Sequence, residues 1–299
     1  MVTGCRPRHG AGGWSRRGCL AAAAGLALVR PGRAAAPARL AVLDWAILDA
    51  VLALGGTVAA VAEPDGYCRQ TPGPALPPET VDLGLRDQPN LELLQRLAPD
   101  LILLPSWQRV DLPRLARIAP VFSVAAYGSV APLAEAKAAL LAVGARLGRE
   151  AEARRALAAT ERELREIRAR LASRQGASVQ IVSLLDQSHA WVFAAGSLFH
   201  DVLARLGLVN AWSRHRDAVV TIGLEQLARH PDAWIVCLRP THPPLLAEVA
   251  ASRLWSSLPA SRHGRVALLP PLLAFGGLAT ARRFAGELGA ALTGRTSLG

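Results

Sequence analysis

Asn90-Leu-Glu-Leu-Leu-Gln-Arg-Leu-Ala-Pro-Asp-Leu-Ile-Leu-Leu104 is nearly repeated as Gly223-Leu-Glu-Gln-Leu-Ala-Arg-His-Pro-Asp-Ala-Trp-Ile-Val-Cys237. Each copy opens on Leu-Glu, continues as a short amphipathic helix, breaks at Pro-Asp and ends in an apolar strand. Glu92 precedes Pro99 by seven residues, and Glu225 precedes Pro231 by six. Between the copies lie Leu133–Leu147 and Glu150–Leu171, free of proline and rich in Ala, Arg, Glu and Leu, a composition of high summed helix propensity. The pattern predicts two related α/β lobes joined by a rigid helical connector, with a ligand gripped between them.

Outward from these copies, short apolar runs alternate with helical spacing. Strands are expected at Arg39–Leu43, Val58–Ala62, Val81–Leu85, Leu101–Leu104 and Val121–Val124. Helices are expected at Trp45–Leu54, Leu91–Leu97 and Leu112–Ile118, and the Pro- and Gly-rich stretch 63–80 reads as a loop. In the second half, Ser178–Leu185, Ala190–Phe193, Trp234–Leu238 and Val266–Leu269 read as strands. Ser197–Leu206, Leu224–Arg229 and Leu278–Leu292 read as helices. Such alternation favours mainly parallel sheets. The expected organisation is an N-terminal lobe over 39–145, a connecting helix over 146–175 and a C-terminal lobe over 176–299.

The 299 residues carry a formal charge of +11. Six arginines and no acidic residue fall in 1–38, which leaves 28 basic against 23 acidic side chains in the rest. Those arginines interleave with glutamates, as on a solvated helix face, so the charge does not predict nucleic-acid binding. Ser15-Arg16-Arg17-Gly18-Cys19-Leu20, an apolar run to Val29 and Ala34-Ala35-Ala36-Pro37-Ala38 form a twin-arginine export signal. Cleavage is expected after Ala38, and the apolar run is shorter than the ~20 residues of a membrane span. A periplasmic location follows. Cys5 and Cys19 leave with the signal, and Cys68 and Cys237, one per lobe, are expected as unpaired thiols.

Enzyme signatures are scarce. No Gly-x-Gly-x-x-Gly follows a strand, the single lysine, Lys137, follows Ala136 rather than a phosphate loop, and neither His-Glu-x-x-His nor Gly-x-Ser-x-Gly occurs. The chain therefore shows no catalytic signature. Trp45, Trp107 and Trp212 fall at strand or loop ends that face a cleft, whereas Trp191, Trp234 and Trp255 lie inside apolar segments and read as core. A cleft lined by indoles suits a bulky, partly apolar ligand.

Val81-Asp-Leu-Gly-Leu-Arg-Asp-Gln-Pro-Asn-Leu-Glu92 and Phe193-Ala-Ala-Gly-Ser-Leu-Phe-His-Asp-Val-Leu-Ala-Arg-Leu-Gly-Leu-Val-Asn-Ala-Trp212 resemble the iron–hydroxamate siderophore binding proteins. Those are class III periplasmic binding proteins of ABC importers. The resemblance implies two Rossmann-like lobes with mainly parallel sheets joined by one long α-helix. It implies a monomeric binder rather than a catalyst, with no resident cofactor and no protein metal ligand, that takes an iron(III)–siderophore complex as ligand and an ABC importer permease as partner. It places Arg86 on the iron-bound hydroxamate oxygens, and Trp45, Tyr67, Trp107, Gln108, Trp212, Leu273 and Phe275 at ligand-binding positions. Gln108 stands where the family has a tyrosine, Gln70 near a family tryptophan, and Leu273 and Phe275 where it has two large aromatics, so the pocket is re-tuned. Glu92 and Glu225 correspond to the surface glutamates that dock on the permease, with helix capping as the alternative role. Cobalamin or haem binding on the same fold, an exported two-lobe enzyme and a receptor without transport are the rival readings.

Overall fold

The structure is a computed structural model that describes residues 39–71, 75–126, 131–240 and 242–294. The stretch expected to be an export signal, with Cys5 and Cys19, lies outside the described residues. The first half runs β1 (Leu40–Val42), α1 (Trp45–Ala53), β2 (Val58–Val61), α2 (Pro64–Gln70), β3 (Val81–Asp82), α3 (Leu91–Leu97), β4 (Leu101–Pro105), α4 (Leu112–Ile118) and β5 (Val121–Val124). Its strands pair in parallel in the order β3-β2-β1-β4-β5, with Val42 opposite both Val61 and Leu103. Every residue of β4 is buried, as an apolar run in a sheet covered on both faces must be.

Two helices follow, α5 (Pro132–Arg146) and α6 (Glu150–Arg170). The second half runs β6 (Ser178–Leu184), β7 (His189–Phe193), α7 (Leu198–Leu206), β8 (Val209–Asn210), β9 (Val219–Gly223), β10 (Trp234–Leu238), α8 (Pro243–Ala250), α9 (Arg253–Ser257), α10 (Pro259–Arg262), β11 (Val266–Leu269) and α11 (Leu278–Leu292). The second sheet has the order β11-β10-β6-β7-β9; β10 pairs in parallel with β6 and β11, while β7 runs antiparallel to β6 and β9. The sequence repeat thus maps onto equivalent strands: β4 and β10 each lie between the first strand of their half and the strand that follows.

Several elements differ from the sequence reading. The stretch taken as a loop holds α2, which Pro64 opens at the first helical position, where its missing N–H costs nothing. Leu224–Arg229 is a 3-10 turn rather than an α-helix. The sequence reading placed no strand between Phe193 and Trp234, where β8 and β9 lie, and no helix between Leu238 and Val266, where α8, α9 and α10 lie.

The helices between the sheets do more than connect. α6, 21 residues and about 30 Å long, lies against α5, α7 and α11. One buried apolar cluster runs from Leu40 and Ile47 through Leu140, Leu164 and Ile167 to Val179, Phe284 and Leu288. The final helix, α11, returns to pack on α1 as well. Polar ties cross the same layer. Asp201 on α7 accepts from the Leu133 N–H at 2.9 Å and caps α5, and Glu161 on α6 meets Lys137 and Arg205. The Lys137 hydrogen bond holds the Glu161 carboxyl below the usual range.

At Gly144, α5 has no room for a side chain against α6: an added Cβ would lie 2.6 Å from Ala153 Cβ and 3.2 Å from the Arg149 oxygen. Gly144→Ala is expected to destabilise the fold. Overpacking costs about 1–3 kcal/mol, more than the ~1 kcal/mol that alanine gains in a helix. A urea midpoint at or above wild type would show that the two helices part freely.

Candidate functional site

The first sheet changes direction of growth at β1. The chain adds β2 and β3 on one side and then crosses to add β4 and β5 on the other. Loops leaving β1 and β4 diverge there, and the crevice beyond the carboxyl ends of such strands is where α/β sheets hold ligands. A cavity of about 620 Å³ lies at that point, within the range of small-molecule sites.

Asp44 and Trp45 follow β1 directly. Asp44 caps α1, its Oδ1 accepting from the Ala46 and Ile47 N–H groups at 2.9 and 3.2 Å. Burial pushes its carboxyl above the usual range, against the pull of those two bonds and of Arg86. Trp45 donates Nε1–H to the Ala62 oxygen at 3.0 Å and lies so close to Gly66 that a Cβ there would meet the indole at 2.7 Å. That explains a glycine inside α2.

Arg86 is delivered by the loop after β3. Gly84 has φ +78°, and Asp82 Oδ1 accepts from its N–H at 2.8 Å. Asn90 N–H then returns to the Leu83 oxygen at 2.8 Å, which closes the loop tightly. The Arg86 guanidinium stacks 4.1 Å over the Trp45 ring, and its Nε donates to Glu63 Oε2 at 3.0 Å. Glu63 itself holds φ +52°, a strained conformation for a side-chain-bearing residue. Arg86 is therefore fixed from two sides before any ligand arrives.

Trp107 and Gln108 come from the end of β4. Trp107 is 48 % exposed, while Gln108 is 6 % exposed and donates Nε2–H to the Leu43 and Arg86 oxygens. The segment after β11 supplies Leu273 and Phe275 from the other half, and β7 supplies Trp191. Gln70 and Asp87 complete the lining.

The profile of the periplasmic binding protein family matches residues 40–273. The chain belongs to the periplasmic binding protein family. It is 30 % identical over 261 residues to the iron(3+)-hydroxamate-binding protein FhuD of Escherichia coli, covering 87 % of this chain and 88 % of that one. The Fe(3+)-citrate-binding protein YfmC of Bacillus subtilis is 24 % identical over 234 residues, 77 % of this chain and 72 % of that one. The crystal structure of the Fe3+–Desferal-bound siderophore binding protein FhuD from Vibrio cholerae superposes with a TM-score of 0.81. The two are 26 % identical, with 88 % of this chain and all of that one covered. The mainly parallel two-sheet fold expected from sequence is that of this family.

Within this family member, the cavity gathers six of the eight residues expected at the ligand: Trp45, Arg86, Trp107, Gln108, Leu273 and Phe275. Two are placed elsewhere. Tyr67 is 1 % exposed and donates its hydroxyl to Asp49 Oδ1 at 2.8 Å, behind Trp45. Trp212 is 3 % exposed, its Nε1–H donated to Gln180 Oε1 at 3.0 Å and its ring 5.1 Å from that of His230. Tyr67 was placed at the ligand by resemblance, and Trp212 by resemblance and by its position at a loop end; the polar atoms of both are spent on core partners. Trp191, read as core, is instead half-buried on the cleft. Alternation along β7, with Ala190 and Val192 buried, turns it to the opposite face.

Glu92 and Glu225 are both exposed. Asn90, not Glu92, caps α3 by accepting from the Leu93 N–H at 3.0 Å, so capping does not account for Glu92. Glu225 opens the 3-10 turn after β9. Cys68 and Cys237 are unpaired, and burial pushes the Cys237 thiol up to about 12, which makes it unreactive. Among the described residues no helix is long and apolar enough to cross a membrane.

Proposed function

We propose that this chain is a periplasmic solute-binding protein that captures a ferric siderophore of hydroxamate type between its lobes and delivers it to an ABC importer. The observation that carries the reading is Arg86, held by Glu63 and Trp45 at the mouth of an indole-lined cleft. A guanidinium so held offers its remaining N–H groups to oxygens that bear partial negative charge, while the rings cover the apolar part of the chelate. Iron arrives as cargo, coordinated by the siderophore. The protein binds and releases without catalysis, as a monomer over residues 39–145, 146–175 and 176–299, after twin-arginine export and signal cleavage.

Titration of tryptophan fluorescence with ferric and metal-free siderophores tests this. Trp45, Trp107 and Trp191 line the cleft, so saturable quenching by a ferric hydroxamate is expected. A response to haem or cobalamin alone would overturn the reading.

Glu92 and Glu225 are proposed as the permease contacts, one on each lobe. The double substitution Glu92→Ala, Glu225→Ala is expected to leave siderophore affinity within about two-fold of wild type, as for surface changes away from the site, and to abolish uptake. Wild-type transport by that variant would remove both residues from the docking surface.

A further inference from the structure

Arginines lead into the amino ends of the strands in the second half: Arg174 before β6, Arg214 before β9, Arg229 before β10 and Arg265 before β11. The cleft residues Leu273 and Phe275, by contrast, follow the carboxyl end of β11. Contacts bind the arginine-bearing segments into one surface. The Trp212 ring lies 5.6 Å from that of His215 and 5.1 Å from that of His230. Arg265 Nη2 donates to the Pro231 oxygen at 2.7 Å, and Arg174 sits 5.3 Å over the Trp234 ring. Burial, and then Arg214, Arg229 and His215, hold the His230 imidazole below its usual range, so these cations crowd one point. Arg174, Arg214, Arg229 and Arg262 are exposed, and among the described residues none of the four forms an ion pair. Asp217 and Asp232, the acidic residues of these segments, pair with no arginine either. In the helical layer the opposite holds: Arg205 and Arg282 each meet a glutamate.

We propose that this end of the second half is a docking surface for an anionic phospholipid membrane, with Arg214, Arg229 and Arg262 set against headgroup phosphates. A guanidinium presents a planar fork of donors that matches phosphate oxygens, and each arginine near an anionic bilayer strengthens adsorption roughly five-fold at low salt. A protein partner fits the surface less well. Protein interfaces centre on accessible aromatic side chains with charge at the rim, whereas here Trp212 is buried and Trp234 lies under Arg174. The cleft opens beyond the other ends of the same strands, so adsorption leaves it free, and nothing in the surface depends on which ligand the cleft takes.

The experiment is co-sedimentation of the purified chain with vesicles of phosphatidylcholine alone and of phosphatidylcholine mixed with phosphatidylglycerol, at low and at physiological salt. The chain is expected to sediment with the mixed vesicles only, and less as salt rises. Arg214→Glu, Arg229→Glu and Arg262→Glu combined should abolish that binding while the melting curve stays as in wild type. A control triple, Arg96→Glu, Arg117→Glu and Arg154→Glu, makes the same change in net charge at other exposed, unpaired arginines and should still bind. Equal loss in both triples would assign adsorption to net charge and overturn the docking surface, as would wild-type binding by the first triple. Equal sedimentation with neutral vesicles would overturn the role of charge. Sedimentation with neither vesicle, with or without retention on a soluble polyphosphate, would overturn the membrane as partner.

Discussion

Arg86→Ala is expected to weaken ferric-siderophore binding by about 1.5–3 kcal/mol, the worth of a charge-assisted hydrogen bond, or roughly ten- to a hundred-and-fifty-fold in Kd. The fold should survive, because Arg86 is half-buried and its loop is closed by backbone bonds from Gly84 to Asn90. The substitution removes more than a ligand contact. It uncovers the Trp45 ring and leaves Glu63 without its cation. Arg86→Lys separates the effects: it keeps the charge but loses the planar fork and most of the stacking, so it should recover only part of the affinity. Unchanged Kd in Arg86→Ala, with an unchanged melting curve, would remove Arg86 from the site.

Asp49→Ala should produce the largest loss of stability, about 3–5 kcal/mol, as when one partner of a buried ion pair is removed. Asp49 is 3 % exposed, and its carboxylate accepts from Arg283 Nη2 at 2.8 and 3.0 Å, from Tyr67 at 2.8 Å and from Thr280 at 3.0 Å. Truncation strands three donors, of which Tyr67 and Thr280 are buried. Burial, with Asp49 beside it, also pushes the Tyr67 hydroxyl far above its ordinary range, so ionisation of that phenol offers no relief. Asp49→Asn keeps one acceptor oxygen and should cost less. Urea unfolding measures both, and an Asp49→Ala midpoint equal to wild type would show that the cluster contributes nothing to the fold.

The two mainly parallel lobes were legible because short apolar runs alternate with helical stretches, an alternation that favours parallel pairing; the strand order was not, because no local pattern sets which strands are neighbours. The repeat around Pro99 and Pro231 marked the matching strands. The strand and loop ends then marked Trp45 and Trp107, whereas Arg86 and Gln108 were placed by the resemblance. What stayed hidden depends on packing across the chain. The glycine in Pro64-Asp-Gly-Tyr67 made α2 look like a loop, yet Gly66 is there because an indole rests on it. Trp191 stood in an apolar run, and only the period-two alternation from His189 to Val192 pointed to its exposed face. Tyr67 was drawn to the cleft by resemblance and Trp212 by resemblance and its loop-end position, whereas their hydrogen-bond partners, Asp49 and Gln180, lie 18 and 32 residues away.

The ion pair in the helical layer also sets an order of events. Asp49 and Arg283 are separated by 234 residues, so the carboxylate emerges during synthesis long before its cation exists. A first lobe that collapsed early would enclose an unpaired charge, and closing so long a loop is an entropic cost met only late in folding. The last helix thus acts as the closing bolt. Docking of α11 on α1 is the step that brings Arg283 to the Asp49 carboxylate.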